Sequence, residues 1–209
     1  MYLGINEIKD SIRNIKQLMI ENKDEMIEAD SIIGDGDLGI TMSSAFIAAD
    51  EFLQKEEDES DMGKLFMKIG MEIAKASPST MGTLIATGFL KGGKALLGNN
   101  NIGAKDFFIF FKNFTEGIKE RGKAKLGEKT ILDVLYPIVT TLENNVEKSL
   151  ETAVNSAHIE AQNALDKTKN LISQHGKAAV FREKTLGLRD PGCIAILYII
   201  QGFKEALVK

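Results

Sequence analysis

Apolar residues in this chain recur at helical spacing and hardly ever alternate, and this restricts the fold more than any other feature. Ile5, Ile8, Ile12, Ile15 and Met19 follow one another at intervals of three or four, which lays an apolar stripe along a first helix. Met62, Leu65, Phe66, Ile69 and Ile73 do the same further on. Similar patterns predict helices over 38–54, 81–97, 104–120, 130–149, 151–173 and 191–207. A half-buried strand needs strict alternation, and its best candidate is one short piece around Val180-Phe181. The reading is an all-α fold of about eight amphipathic helices. A length of 209 residues suits one core, and no repeat marks a boundary, so residues 1–209 are expected to form a single domain.

The balance of charge excludes some functions. With a net charge of −4 and no strongly basic stretch, the chain has no footprint for nucleic acid. Its one cysteine, Cys193, has no partner within the chain for a disulfide. The N-terminal residues mix charges every few positions, unlike a signal peptide. The longest apolar run near the C-terminus, 193–200, is far short of the ~20 residues that span a bilayer. A cytoplasmic protein with no membrane partner is expected.

Chemistry should therefore lie in the connections. Segment 30–37, DSIIGDGD, places Asp30, Asp35 and Asp37 among glycines, just before a predicted helix start at Leu38. Carboxylates are hard ligands suited to Mg²⁺, glycines let the backbone curl so that several face one point, and free amides at a helix start can meet a phosphate. A plainer alternative is that Asp37 caps the helix and Gly34-Asp35-Gly36 is only a turn. An EF-hand is excluded: counted from Asp35, its obligatory Gly falls on Ile40 and its closing Glu on Phe46.

Segment 76–82, ASPSTMG, reads as a polar helix start with Ser79 or Thr80 as cap. Segment 121–129, RGKAKLGEK, is not a Walker loop, because Glu128 separates Gly127 from Lys129-Thr130 and no strand precedes it. Segment 174–192 is long for a connection and ends in Asp190-Pro191, a cap followed by a residue suited to the first helical position. Pro137 should kink its helix or mark its first turn. His158 reads as a surface residue and His175 as part of the long loop, and no grouping supports covalent catalysis or a zinc site.

Taken in order, these loops resemble those of the nucleotide-binding (L) subunit of dihydroxyacetone kinases. The match is carried by Gly34-Asp35-Gly36-Asp37-Leu38-Gly39-Ile40-Thr41-Met42, by Arg121-Gly122-Lys123-Ala124 with Gly127 and Lys129-Thr130, and by Leu186-Gly187 with Asp190-Pro191-Gly192. The resemblance implies a closed antiparallel helical barrel with the nucleotide at one end. It implies that Asp30, Asp35 and Asp37 hold a pair of Mg²⁺ ions bridging the phosphates of ADP or ATP. Leu38, Gly39, Ile40 and Thr41, together with Thr80, Met81 and Gly82, would face the phosphates. Gly122 and Ile131 would border the adenine, and Asp190, Pro191 and Gly192 would close the pocket. Lys177 matches a family arginine directed at the phosphates and is the candidate catalytic residue.

The chain departs from the best-known bacterial pattern at Leu38 (histidine there), Thr41 (asparagine), Pro78-Ser79-Thr80-Met81 (a glycine-rich loop), and Lys177 and Lys184 (arginines). The resemblance also implies partners: a separate sugar-binding subunit that holds dihydroxyacetone, and a phosphotransferase-system protein that rephosphorylates bound ADP. An ATP-using subunit for another short ketose such as a tetrulose, and a nucleotide-loaded regulatory module, are the alternatives. A fatty-acid kinase would need an acyl-binding region that this chain lacks.

Overall fold

The computed structural model describes residues 2–208. Among them nine α-helices follow one another: α1 (Ile5–Glu21), α2 (Lys23–Ile33), α3 (Leu38–Lys55), α4 (Met62–Ala76), α5 (Thr80–Lys94), α6 (Ala104–Gly122), α7 (Leu132–Glu143), α8 (Leu150–Lys167) and α9 (Pro191–Leu207). The fold is all-α. Val180 and Phe181 lie not in a strand but in a stretch of 3-10 turns, Lys177–Thr185, broken at Arg182. The helices expected over 130–149 and 151–173 end earlier, at Glu143 and Lys167, and the last turn of α2 takes in residues 30–33, which the sequence pattern assigns to a connection. Only Met26 and Ile33 of α2 are buried, too few to paint a stripe.

Local chemistry starts and stops these helices where the sequence has caps. Asp61 accepts the Lys64 amide at 3.0 Å to open α4, Ser79 the Gly82 amide at 3.0 Å to open α5, and Ser149 the Thr152 amide at 3.1 Å to open α8. Asp190 does the same for α9 through the Cys193 amide at 2.9 Å, with Pro191 in the first turn as predicted. Pro137 lies within α7.

Each helix from α3 to α9 packs on the next, and α1 packs on both α3 and α9, so the contacts run in a cycle. The centre is aromatic. Phe46, Phe66, Phe89, Phe107, Phe110, Phe111, Phe114 and Phe203 are fully buried, and α3, α4, α5, α6 and α9 each contribute. Phe66 and Phe110 approach to 4.3 Å between ring centroids, and Phe89 meets Phe114 edge-on at 5.5 Å. Tilted and edge-on pairs suit the quadrupoles of the rings. Because the chain reverses between neighbours, the starts of α3, α5 and α7 gather at the end where α4, α6 and α8 finish; α9 starts there too after the long 168–190 connection, whose Asp190 amide donates to Thr168 Oγ1 at 3.2 Å. His158, expected at the surface, is buried on α8, where burial and then the Lys204 ammonium push its pKa down.

Candidate metal and phosphate site

Asp30 projects from the last turn of α2 towards the start of α3. Its Oδ2 accepts the amides of Asp37 at 3.0 Å and Leu38 at 3.3 Å. The cap of α3 is thus supplied from the preceding helix, and the Asp37 side chain makes no cap bond. Ligand oxygens of Asp30, Asp35 and Asp37 all lie within 4.8 Å of one another, with Asp30 half-buried and the other two exposed. The loop's glycines make this approach feasible. A Cβ at Gly34 would sit 2.2 Å from Asp30 Oδ1, and Gly36 has φ of +71°, which side chains rarely adopt.

Three carboxylates held this close repel one another, by about 1 kcal/mol per pair in water and several-fold more at a protein surface. A cation relieves that repulsion, and the chain itself sends one: the Lys177 ammonium pairs with Asp35 Oδ2. Hard oxygen donors around a cation-recruiting point fit Mg²⁺.

The helix starts beside the triad are linked to one another. Thr41 on α3 accepts the Ser77 hydroxyl at 2.8 Å from the end of α4. Gly82 lies against Ser77 so closely that a Cβ there would meet the Ser77 carbonyl at 2.2 Å. At the next step, a Cβ at Gly192 would touch Met81 Cε at 2.5 Å and Ile131 Cγ2 at 2.7 Å, which joins the starts of α5, α7 and α9. Gly122, at the end of α6, faces Leu84 of α5 at 3.5 Å from its Cβ position. The predicted residues therefore fall along one end of the bundle.

Their amides are not equivalent. In α3 the Leu38 amide is engaged by Asp30 and the Thr41 amide by the Asp37 carbonyl, which leaves Gly39 and Ile40 in that turn for a ligand. In α5, Ser79 engages Gly82 and Thr83, which leaves Thr80 and Met81. Gly39 has a packing reason too, since a Cβ there would lie 2.2 Å from the Lys23 carbonyl of α2. Asp190 is buried, and burial pushes its carboxyl up to about 6 despite the Cys193 amide and the nearby Lys129.

Lys129 and Glu128 make contacts with the long loop whose partners the sequence does not reveal. Lys129 is almost fully buried and adopts φ of +55°. Its ammonium donates to the carbonyls of Leu171 (3.2 Å), Leu188 (2.8 Å) and Thr185. Next to it, Glu128 Oε2 meets His175 Nε2 at 2.5 Å, and the Glu128 carbonyl accepts the Gln174 amide at 3.1 Å. The histidine, followed by the Lys125 amide, lowers the Glu128 pKa.

The fold and this end of the bundle define a class: an all-helical domain with a cation-recruiting acidic cluster set at a helix start. Residues 32–205 match the DAK2 domain, and the chain belongs to that family, the nucleotide-binding subunits of dihydroxyacetone kinases. It is 34% identical over 172 residues to "PEP-dependent dihydroxyacetone kinase 1, ADP-binding subunit DhaL" of Listeria innocua, covering 82% of this chain and 81% of that one. It is 26% identical over 203 residues to "PEP-dependent dihydroxyacetone kinase, ADP-binding subunit DhaL" of Escherichia coli, covering 96% of each. In fold it is similar to the crystal structure of the dihydroxyacetone kinase from C. freundii in complex with AMP-PNP and Mg²⁺. That likeness has a TM-score of 0.74 and 20% identity, over 98% of this chain but only 34% of that chain. The matched stretch of the family begins just after Asp30. Among the described residues no helix is long and apolar enough to cross a membrane.

Proposed function

We propose that this chain, as a single domain over residues 1–209, is the subunit that passes a phosphoryl group from a Mg-nucleotide to dihydroxyacetone held on a separate sugar-binding subunit. The observation that carries this reading is the convergence of Asp30, Asp35 and Asp37 within 4.8 Å at the start of α3, with Lys177 drawn onto Asp35. Asp30, Asp35 and Asp37 would hold a pair of Mg²⁺ ions. When bound, the ions would neutralise phosphate charge and hold the phosphates for in-line transfer.

The chain's own groups do the rest. Amides of Gly39, Ile40, Thr80 and Met81 offer hydrogen bonds to phosphate oxygens from the starts of α3 and α5. Gly122 and Ile131 would border the adenine, and Asp190, Pro191 and Gly192, the last packed on Met81 and Ile131, would close the pocket. Lys177, which pairs with Asp35, would be placed to hold charge on the transferred group. Lysine does this as a point charge without the bidentate fork of arginine.

The donor we infer is ADP that stays bound and is rephosphorylated in place from phosphoenolpyruvate through a phosphotransferase-system protein. The relatives named PEP-dependent match along most of their length, which favours this over freely exchanged ATP. Reconstitution tests it. The chain is mixed with a dihydroxyacetone-binding subunit, phosphoenolpyruvate and the phosphotransferase proteins, and dihydroxyacetone phosphate is measured. Product should form without added ATP, and ADP should survive dialysis. Product formed only with ATP, with freely exchanging nucleotide, would sink the donor assignment. No product from either donor would sink the kinase reading.

A further inference from the structure

We propose that Lys129 is a positioning residue for phosphoryl transfer: by clamping both ends of the 171–188 segment, it sets Lys177 over the carboxylate triad. This rests on the function proposed above. Lys129 never reaches the triad itself. Its three ammonium hydrogens go to main-chain carbonyls at Leu171, before Lys177, and at Thr185 and Leu188, after it. An ammonium has three donors and no acceptor, so the site is saturated by the segment alone. The backbone at Lys129 is held at φ of +55°, a conformation non-glycine residues adopt when the surroundings demand it.

The segment needs such a clamp. Between its ends the backbone breaks at Arg182, Val180 is 82% exposed, and Thr185 is the only buried residue from 177 to 185. It has little apolar burial of its own to fix the reach of Lys177. The Glu128 contacts with Gln174 and His175 hold the leading edge from the same turn. Lys129 therefore acts on Lys177 at a distance along the backbone, and neither residue alone explains the pairing with Asp35.

The test compares Lys129→Met, Lys177→Met and the double variant in the full chain with its sugar-binding partner. Trypsin reads the segment directly, because Lys177, Arg182 and Lys184 all lie in it. Lys129→Met should be cut there about tenfold faster or more, while cleavage elsewhere and the cooperative thermal transition persist. Its kcat should fall about tenfold or more, with Mg-nucleotide affinity within about threefold of wild type. In the Lys177→Met background, the added Lys129→Met should cost less than about twofold, since its effect runs through Lys177.

Multiplying effects in the double variant, or uniform cleavage along the chain, would reduce Lys129 to a structural residue and overturn the proposal. If Lys129→Met does not fold, Glu128→Gln weakens the His175 contact at the leading edge, along with the Lys125 amide bond of its own turn, and leaves the Gln174 main-chain bond in place. It should raise segment cleavage about threefold, and no rise would count against the clamp. The cleavage arm needs no kinase activity. A wild-type chain that transfers no phosphoryl group thus overturns the function, whereas unchanged cleavage overturns the role of Lys129.

Discussion

The aromatic centre and the acidic end of this bundle are built on opposite principles. At the centre, eight phenylalanines are sealed from water and each is held by its neighbours. At the acidic end, Asp35 and Asp37 are exposed, like charges are crowded together, and helix starts keep amides without a partner inside their own helix. The first region lowers the free energy of the fold. The second raises it and is kept for what it can bind. Substitutions in the two regions should therefore move different observables.

The largest effect should come from Asp35→Asn with Asp37→Asn. Affinity for Mg-ADP should fall by about a thousandfold or more in calorimetric titration. The metal-free thermal midpoint should hold or rise, because repulsion is relieved. A fall in the midpoint would mean the cluster is structural after all.

Phe110→Ala should do the reverse. Phe110 is fully buried against Phe66, Phe89, Phe111 and Phe114, and its truncation should cost about 3–5 kcal/mol in denaturant unfolding. Nucleotide affinity of the fraction that remains folded should be near wild type.

Asp190 belongs to both regions, being buried and at the same end of the bundle as the helix starts. Its carboxyl titrates at about 6 when folded and at about 3.9 when unfolded. Between those values the native state keeps a proton that the unfolded chain has released, so stability falls as pH rises through the window and levels off above it. Asn keeps the cap but has no proton to lose. The stability difference between wild type and Asp190→Asn should therefore shift by about 2 kcal/mol in favour of Asn from pH 4 to pH 7. A difference that does not vary with pH would mean Asp190 is not buried as a carboxylate. The smallest effect belongs to neither region: Lys91→Ala removes the exposed pair with Glu120 and should cost less than about 0.5 kcal/mol.

The same contrast decides what the sequence could reveal. Helices with a full apolar stripe, such as α1 and α4, are written at spacings of three and four and are legible to within a few residues. The α2 helix is not, because it buries only Met26 and Ile33 and leans on polar ties such as Tyr198 to Glu25 at 2.5 Å. That matters at the site, since α2 carries Asp30 and aims it at the start of α3. Asp35 and Asp37 stand out because carboxylates spaced by glycines suit a hard cation, although the same residues also suit a turn and a helix cap, and only the folded chain shows that the Asp37 side chain makes no cap bond. The shared cap, by contrast, depends on a turn from Ile33 to Leu38 that no local pattern encodes.

Lys129 shows the limit most clearly. In sequence it stands in a motif, Gly127 with Lys129-Thr130, that carries the family resemblance but names no partner, and only the folded chain brings Leu171, Thr185 and Leu188 around it. Likewise His158 reads as surface because its neighbours in sequence are polar, whereas α9 covers it in space.

Everything proposed for the acidic end depends on three carboxylates at a helix start binding nucleotide through metal. ADP affinity of the nucleotide-stripped wild-type chain, by titration calorimetry in Mg²⁺ and in chelator, measures that dependence. Removing Mg²⁺ should weaken ADP binding by about a hundredfold or more. Equal affinity in Mg²⁺ and in chelator would contradict a metal-bridged nucleotide.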